Sequence, residues 1–206
     1  QQQLLEALHA TGKPVVLVLI NGQPLTINWA DRNIPSILEA WFPGQLGGEA
    51  IAQTLFGDYN PGGRLSVTFP RSIGQIEFNF PFKPGSQDGQ YFKGPNGSGN
   101  TRVNGALYPF GYGLSYTTFA YSNLSVKQET PYSQSPVTVT VDVTNTGKRA
   151  GDEVVQLYIR DKVSSVIAYE SVLRGFERIS LQPGETKTVS FVLLPEDLQI
   201  LDRHME

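Results

Sequence analysis

A change in hydrophobic period near the middle of the chain constrains its fold more than any other feature. Upstream of residue 107, an unbroken apolar run at residues 15–20 is followed by patterns typical of helices. Such runs fit strands that are covered on both faces, as in parallel α/β sheets. Downstream of residue 117, apolar residues recur at every second position, as in the valines of residues 137–143, which is typical of half-buried antiparallel strands. The sequence therefore predicts an α/β region followed by an all-β region.

The segment 107–116, LYPFGYGLSY, lies where the two patterns meet. Its large rings can anchor by packing while its glycines let backbones approach closely, which is typical of a seam between domains. An ordinary aromatic-rich strand has the same spacing, so both interpretations stay open. The aromatic residues of the predicted domain seam are Tyr108, Phe110, Tyr112 and Tyr116.

The composition excludes several classes of protein. With 39% hydrophobic and 17% charged residues, the 206-residue chain is globular rather than disordered. A formal net charge of -3 gives no electrostatic basis for binding nucleic acid, and no apolar run reaches the roughly 20 residues of a membrane span. With 0 cysteines the chain can form neither a disulfide nor a Cys-ligated metal site, and its 2 histidines are poor material for a tight transition-metal site. We therefore predict no metal and no cofactor.

Helix and strand signals alternate in the first half, which indicates an α/β layer fold. Because a parallel sheet of so few strands leaves an open edge, we expect only part of an α/β domain. Glu49 falls in the first turn of a predicted helix, where the helix dipole favours a negative charge, and we assign it that role rather than catalysis. The predicted elements are a helix ending at Gly12, strands at 15–20 and 37–42, a helix at 49–56 ending at Gly57, and a turn with a short strand at 58–70.

The second half predicts an antiparallel sandwich of the immunoglobulin or fibronectin type III kind. Short alternating strands are separated by turn signals such as Asn145–Gly147 and Pro183-Gly184. Their apolar positions face inward, which leaves little room for a site inside the sandwich. The inward residues are placed at Val137, Val139, Val141, Val143, Val155, Leu157, Ile159, Val189, Phe191 and Leu193.

Several long motifs resemble glycoside hydrolase family 3, the β-glucosidase family. They are PVVLVLINGQPLTINW, AWFPGQLGGEAIAQTLFGDYNPGGRLSVTFP and LYPFGYGLSYTTF, in the order that the family has them. The runs VTVTVDVTNTGKRAGDEVVQLYIRD and LRGFERISLQPGETKTVSFVLLPEDL resemble the fibronectin type III-like domain that ends many of those enzymes. The resemblance implies a partial three-layer α/β sandwich at 1–116, with a long loop at 71–106, joined to a fibronectin type III-like β-sandwich at 117–206. Its closing strand is expected to be absent from this chain.

The same resemblance implies a retaining exo-acting β-glycosidase that uses two carboxyl groups. In relatives the nucleophile is an aspartate beside Ser and Trp in an N-terminal (β/α)8 barrel. The acid/base is a glutamate in a pattern like G-E-G-x-D-R, early in the α/β sandwich. Residues 28–31 read NWAD, and no glutamate here has the second pattern around it. We therefore expect no catalytic residue in this chain and no turnover by it alone.

The partners that the resemblance implies are the (β/α)8 barrel, the first part of the α/β sandwich, and a β-glucoside or oligosaccharide substrate. A homodimer is compatible with the sequence, and likeness to exported relatives implies a periplasmic or extracellular protein. The chain starts inside a helical pattern without an initiator Met, which we interpret as the continuation of a longer polypeptide. Glucose, xylose and N-acetylglucosamine all stay open as the sugar cleaved.

The loop at 71–106 is the candidate for substrate contact, because structureless segments of this length in compact domains are usually functional or disordered. Its aromatic, amide and carboxylate groups suit sugars, and loops at the carboxyl ends of parallel strands hold ligands in α/β folds. Our hypothesis is that it forms part of the rim of the substrate cleft. Alternatively, it is a surface arm that packs on the barrel or on a second subunit. The rim candidates are Gln75, Asn79, Phe80, Phe82, Asp88 and Tyr91.

Two tryptophans could also offer rings to a sugar. Trp41 lies in a predicted buried strand, where core packing is the favoured role, whereas Trp29 lies near a strand-end loop and stays open. A second class of function is kept beside the enzyme: a free-standing, non-catalytic carbohydrate-binding or scaffolding module. An upstream reading frame that encodes a barrel with S-D-W would distinguish the two.

Overall fold

The computed structural model describes residues 1–75, 80–83, 105–128, 135–200 and 203–204. These residues divide into two compact units, each presented by itself below. Of the described residues, the first unit takes 1–59, 67–75 and 105–110, and the second takes the rest. In the described part of the chain, no helix is long and apolar enough to cross a membrane.

The first unit alternates helices and strands, as the sequence predicts. Strands β1 and β2 pair in parallel, with Val16 opposite Ser36 and Leu19 opposite Glu39, and β3 pairs antiparallel with β4. The elements are α1 (Gln2–Ala10), β1 (Val16–Leu19), α2 (Asn28–Asn33), β2 (Ser36–Glu39), α3 (Gly47–Phe56), β3 (Phe69–Pro70) and β4 (Ala106–Tyr108).

The small parallel sheet is less buried than the sequence predicts. Val16 and Ile20 are 48% and 61% exposed, so the predicted cover on both faces is wrong for these residues. The reason is topological, since β1 and β2 pair only with each other among the described strands. The open edge that we expected is therefore present.

Two local features of the first unit differ from the prediction. The strand predicted at 37–42 ends at Glu39, and Trp41 has a left-handed backbone with φ 48°. The carboxylate of Glu39 accepts the Trp41 N–H at 2.9 Å and fixes this turn. The helix α2 was not predicted, because its sequence NWADRN shows no apolar period. Gly57 ends α3 in the left-handed conformation, as predicted.

The second unit is built from two antiparallel sheets. One contains β5, β6 and β9 in that order, and the other contains β7 and β8, which confirms the predicted sandwich. A short 3₁₀ helix, Pro195–Leu198, follows the last strand. The strands are β5 (Phe119–Gln128), β6 (Val137–Asn145), β7 (Gly151–Ile159), β8 (Val172–Leu181) and β9 (Thr186–Leu193).

The core of the sandwich is aliphatic and joins both sheets. Val143, Val189 and Leu181 are at most 1% exposed, and Val155 and Ile179 complete the cluster. Burying an aliphatic side chain of this size stabilises a fold by about 1.5–3 kcal/mol before entropy is subtracted. The predicted inward positions of β6, β7 and β9 are thus confirmed where they meet this core.

Two segments outside the strands also belong to the second unit. The Gly111 N–H donates to the Leu65 carbonyl at 2.7 Å, and the Leu65 N–H donates to the Tyr112 carbonyl at 2.8 Å. We call residues 60–66 and 111–117 together the ribbon. A Cβ at Gly113 would clash with the carbonyl oxygen of Gly63, so the close backbone approach here requires glycine. The unit division at 110/111 falls inside LYPFGYGLSY, whereas the division at 116/117 stays a prediction from sequence.

Candidate functional site

The start of the predicted loop is tied down by Gln75. Its side-chain oxygen accepts the N–H groups of Arg71 at 2.8 Å and Ser72 at 3.1 Å. Its amide nitrogen donates to the carbonyl of Gly105 at 3.1 Å. The two ends of the 71–106 segment are therefore joined at this residue. The side-chain amide of Gln75, which the sequence analysis proposes as a sugar contact, makes these hydrogen bonds within the protein.

A second part of the predicted loop belongs to the second unit. We call residues 80–83 the strap. The Phe80 ring meets the Tyr158 ring edge-on, with centroids 5.5 Å apart. The Phe82 carbonyl accepts the Glu170 N–H at 2.9 Å. The strap therefore lies along the end of β7 and the segment that follows it.

The segment between β7 and β8 forms a cleft of about 500 Å³, which we call the sandwich cleft. Arg160 and Glu170 form an ion pair at 2.8 Å. The Tyr169 ring is 43% exposed, and the Lys83 ammonium of the strap lies 5.4 Å from its centroid. The cleft thus combines an accessible aromatic ring with charged hydrogen-bonding groups.

The remaining rim candidates, Asn79, Asp88 and Tyr91, lie outside the described residues. Of the six candidates, the structure therefore places three: Gln75 in the first unit, and Phe80 and Phe82 in the second. Phe80 and Phe82 are held against the second unit by the contacts given above. A role of these residues in a substrate rim stays a prediction.

Aromatic rings form a row in the first unit. Trp41 packs on Phe69 with centroids 5.8 Å apart, and Phe69 packs on Tyr108 at 5.9 Å. The Tyr108 hydroxyl donates to the carboxylate of Asp31 at 2.7 Å. Trp41 is thus a packing residue, which is the role that the sequence favours. It lies in a turn and not in the predicted strand. Trp29 contacts His9 edge-on at 5.6 Å.

The other aromatic residues of the predicted seam follow Tyr108 along the chain. Phe110 is the last residue of the first unit, and Tyr112 and Tyr116 belong to the second. The backbone N–H of Tyr116 donates to the side-chain oxygen of Asn60 at 2.7 Å. Asn60 also donates to the Ala150 carbonyl at 2.9 Å, so it joins the ribbon to the sandwich. The seam itself stays a prediction.

A buried polar network in the second unit was missed at the sequence level. The Arg64 guanidinium pairs with Glu153 at 2.5 Å, and the side chains of the pair are 12% and 9% exposed. The Tyr121 hydroxyl donates to the other carboxylate oxygen at 2.8 Å. Burial, followed by the bond to Glu153, raises the pKa of Tyr121, so this phenol keeps its proton as a donor. Both oxygens of Glu153 are occupied, and the network serves as a structural clamp.

Glu39 is an acid of the first unit whose pKa is raised. Burial raises its pKa, while the Trp41 N–H and the Asn21 side chain partly oppose the rise. Its second carboxylate oxygen and the side-chain oxygen of Asn21 are buried without a hydrogen-bond partner among the described residues. Glu39 is the last residue of β2 and Asn21 follows β1, so both residues lie at the carboxyl ends of parallel strands, where α/β folds place polar sites.

Other acids hold loops and strands together. Asp152 accepts from Ser180 at 2.6 Å and pairs with Arg178 at 2.8 Å, and both contacts help to hold the pKa of Asp152 below its usual range. Asp142 accepts from Asn123 and Thr188, which lowers its pKa. Among the described residues, no group of three or more His, Cys, Asp or Glu side chains could hold a metal ion. These carboxylates serve structure, each with a neighbour that favours its charge.

The comparison with family models decides the identity. Residues 1–116 match the glycosyl hydrolase family 3 C-terminal domain. The chain belongs to glycosyl hydrolase family 3. Residues 153–206 match a fibronectin type III-like domain, in agreement with the sandwich.

Relatives within family 3 match the whole chain. A β-xylosidase of Formosa agariphila is 50% identical over 100% of the chain, which spans 28% of that relative. A periplasmic β-glucosidase of Salmonella typhimurium is 46% identical over 100% of the chain, which spans 27% of that relative. The chain therefore spans little more than a quarter of the length of these family 3 relatives.

Solved structures of two β-glucosidases have the same fold. A β-glucosidase from Erythrobacter marinus matches 99% of the chain with a TM-score of 0.88 and 43% identity, and the match covers 26% of that protein. A β-glucosidase from Listeria innocua in complex with glucose matches 99% of the chain with a TM-score of 0.88 and 34% identity, and the match covers 29% of that protein.

Proposed function

We propose that this chain is the C-terminal part of a retaining, exo-acting family 3 enzyme that hydrolyses terminal β-D-glucosyl residues of glucosides and oligosaccharides. The observation that carries the proposal is the match of the whole chain to proteins named β-xylosidase and β-glucosidase at 50% and 46% identity. In this proposal the nucleophile and the acid/base lie in an upstream (β/α)8 barrel and the first part of the α/β sandwich.

The surface of the first unit supports an upstream partner. Its parallel sheet has an open edge, and Phe42, Leu46 and Phe56 are 77%, 71% and 85% exposed. Exposed apolar side chains that form a contiguous patch mark interaction surfaces. We propose that upstream strands extend the β1–β2 sheet and that the upstream polypeptide covers these residues.

Co-expression tests this assembly. The 206-residue chain is produced together with the polypeptide encoded upstream of it, and hydrolysis of an aryl β-glucoside and an aryl β-xyloside is measured. We expect the two polypeptides to purify as one complex that hydrolyses an aryl glycoside and prefers the glucoside. A complex without activity, or an upstream polypeptide that is fully active alone, would overturn the proposed supporting role.

The rim hypothesis concerns the described strap and the loop beyond it. We propose that the loop at 71–106 forms part of the wall of the substrate cleft in the complete enzyme. The variants Phe82→Ala and Tyr91→Ala are compared with a control variant, Phe176→Ala. The control removes a phenylalanine of β8 that is 69% exposed. We expect the first two variants to raise KM or to change the preference for the leaving group. If hydrolysis and leaving-group preference are the same in all three variants, the loop is a packing arm.

Two further proposals concern the compartment and the assembly state. We propose export to the periplasm or beyond, supported by the relative named periplasmic β-glucosidase at 46% identity. Fractionation of the native organism, with detection of this chain by antibody, tests the compartment. A homodimer of the complete enzyme is a further proposal, and light scattering of the purified enzyme tests it.

A further inference from the structure

The sandwich cleft lies in a segment whose shape is fixed by its own hydrogen bonds. The Asp161 carboxylate accepts the Val163 N–H at 3.1 Å, and the Ser164 hydroxyl accepts the Val166 N–H at 3.3 Å. The Arg160–Glu170 ion pair at 2.8 Å ties the beginning of the segment to its end. A site whose loop is already ordered loses less entropy when it binds a ligand.

The strap contacts the segment 160–170 at two of its residues. The Phe82 carbonyl accepts a hydrogen bond from the Glu170 N–H at 2.9 Å. The Lys83 ammonium lies 5.4 Å from the centroid of the Tyr169 ring. Both contacts fall on the residues that carry the ion pair and the ring of the cleft. The strap thus positions the groups that a ligand would meet.

The chemistry of the lining favours a neutral polar ligand. The lining holds two cations, Arg160 and Lys162, and two anions, Asp161 and Glu170. The Lys83 ammonium of the strap adds one cation beside the Tyr169 ring, so the cleft offers hydrogen-bond donors and acceptors with a small net charge. The Tyr169 ring, 43% exposed, adds an aromatic surface, and pyranose rings combine apolar C–H patches with hydroxyls. A volume of about 500 Å³ falls within the roughly 300–1,000 Å³ of ligand pockets.

We propose that the sandwich cleft, residues 160–170, binds a short neutral β-linked oligosaccharide. Tyr169 stacks on a sugar ring, and Arg160 and Glu170 exchange hydrogen bonds with its hydroxyls. The choice of β-linked sugars rests on the proposed function, whereas the cleft itself rests on the contacts above. The fibronectin type III-like sandwich is then a binding element as well as a support.

Titration of the isotope-labelled 206-residue chain tests the proposal. Cellotriose and xylotriose are added to about 10 mM, a range in which millimolar affinity is measurable, and backbone amide shifts are followed by NMR. Sorbitol is the matched polyol without a ring. We expect saturable shifts confined to residues 160–170 and the strap with at least one trisaccharide and none with sorbitol. The absence of saturable shifts, or equal shifts with sorbitol, would overturn the proposal.

Variants separate stacking from a general effect on the fold. Tyr169→Phe should bind like the wild type, whereas Tyr169→Ala should bind about tenfold more weakly. Tyr59→Ala, which removes a 46% exposed tyrosine of the first unit, should change nothing. If Tyr169→Ala loses its dispersed spectrum, Glu170→Gln replaces it, with the same expected weakening. If the folded variant keeps the affinity of the wild type, the proposed binding site is wrong. If only the co-expression assay fails, the proposed function is wrong and the proposed binding site in the sandwich cleft is not affected.

Discussion

Asn145 illustrates how one buried polar residue can define the end of a sandwich. It is 0% exposed, and its side-chain oxygen accepts from Thr117 at 2.7 Å and from the Gly147 N–H at 3.0 Å. Its amide nitrogen donates to the carbonyls of Arg149 at 2.7 Å and Leu181 at 3.0 Å. The side chain thus uses its whole hydrogen-bonding capacity to join the ribbon, a turn and β8.

Asn145→Ala should lower the free energy of unfolding by about 3 kcal/mol, because it leaves several buried groups without partners. Asn145→Asp should cost at least as much, since it buries a charge and removes both donors. Urea denaturation followed by far-UV circular dichroism measures both. Thr186→Ala, which loses an exposed bond to Thr144 at 2.7 Å, is the control and should cost under about 1 kcal/mol. An Asn145→Ala variant as stable as this control would contradict the assigned role.

Glu39 supplies a prediction with a defined pH dependence. Burial raises its pKa above the ordinary value of 4.5, so its charged form destabilises the folded state at higher pH. Glu39→Gln should therefore raise the melting temperature at pH 8, and the gain should shrink as the pH falls toward about 4.3. Both tryptophans, Trp29 and Trp41, lie in the first unit, so melting followed by tryptophan fluorescence reports on this unit. A gain that grows on acidification would contradict the burial argument.

At the scale of elements, the ribbon is held to the sandwich by ionic and polar contacts. Arg64 comes from the ribbon, Glu153 from β7 and Tyr121 from β5, so one carboxylate connects both sheets to the ribbon. Removing one partner of a buried pair leaves an uncompensated charge, whereas replacing both with apolar residues is often neutral. The clamp is therefore expected to show strong coupling between its members.

A double-mutant cycle measures that coupling. Glu153→Leu and Arg64→Met should each lower the free energy of unfolding by about 3 kcal/mol. The double variant Arg64→Met with Glu153→Leu should return to within about 1 kcal/mol of the wild type. Tyr121→Phe should cost about 1.5 kcal/mol, the scale of a hydrogen bond to a charged group. Additive losses in the double variant would show that the clamp is not a coupled unit.

The elements that the sequence predicts correctly are those with a sustained local period. The alternating valines of β6 place Val139 and Val143 inward, and Gly57 marks the end of α3. The clamp could not be read in this way, since Arg64 and Glu153 lie 89 positions apart. Glu153 even occupies a buried strand position that alternation would assign to an apolar residue. The turn at Trp41 depends on the Glu39 carboxylate, and the sequence around Trp41 contains no pattern that predicts a turn.

At the scale of the whole molecule, family membership and chain length are the basis for the proposed location of the catalytic groups. The chain spans 28% and 27% of the relatives it matches along its whole length. Several of its described carboxylates are engaged with arginines and hydroxyls, as Glu153, Asp152 and Asp31 show. Retaining hydrolysis needs two carboxyl groups about 5–5.5 Å apart across the scissile bond. The central claim is that both groups belong to segments upstream of residue 1.

The most direct test is the rate of hydrolysis of an aryl β-glucoside and an aryl β-xyloside by the purified 206-residue chain alone. The account predicts no release of the aryl group above the buffer rate for either substrate. Turnover that co-purifies with the chain and disappears when one of its own carboxylates is replaced, for example in Glu39→Gln, would contradict it.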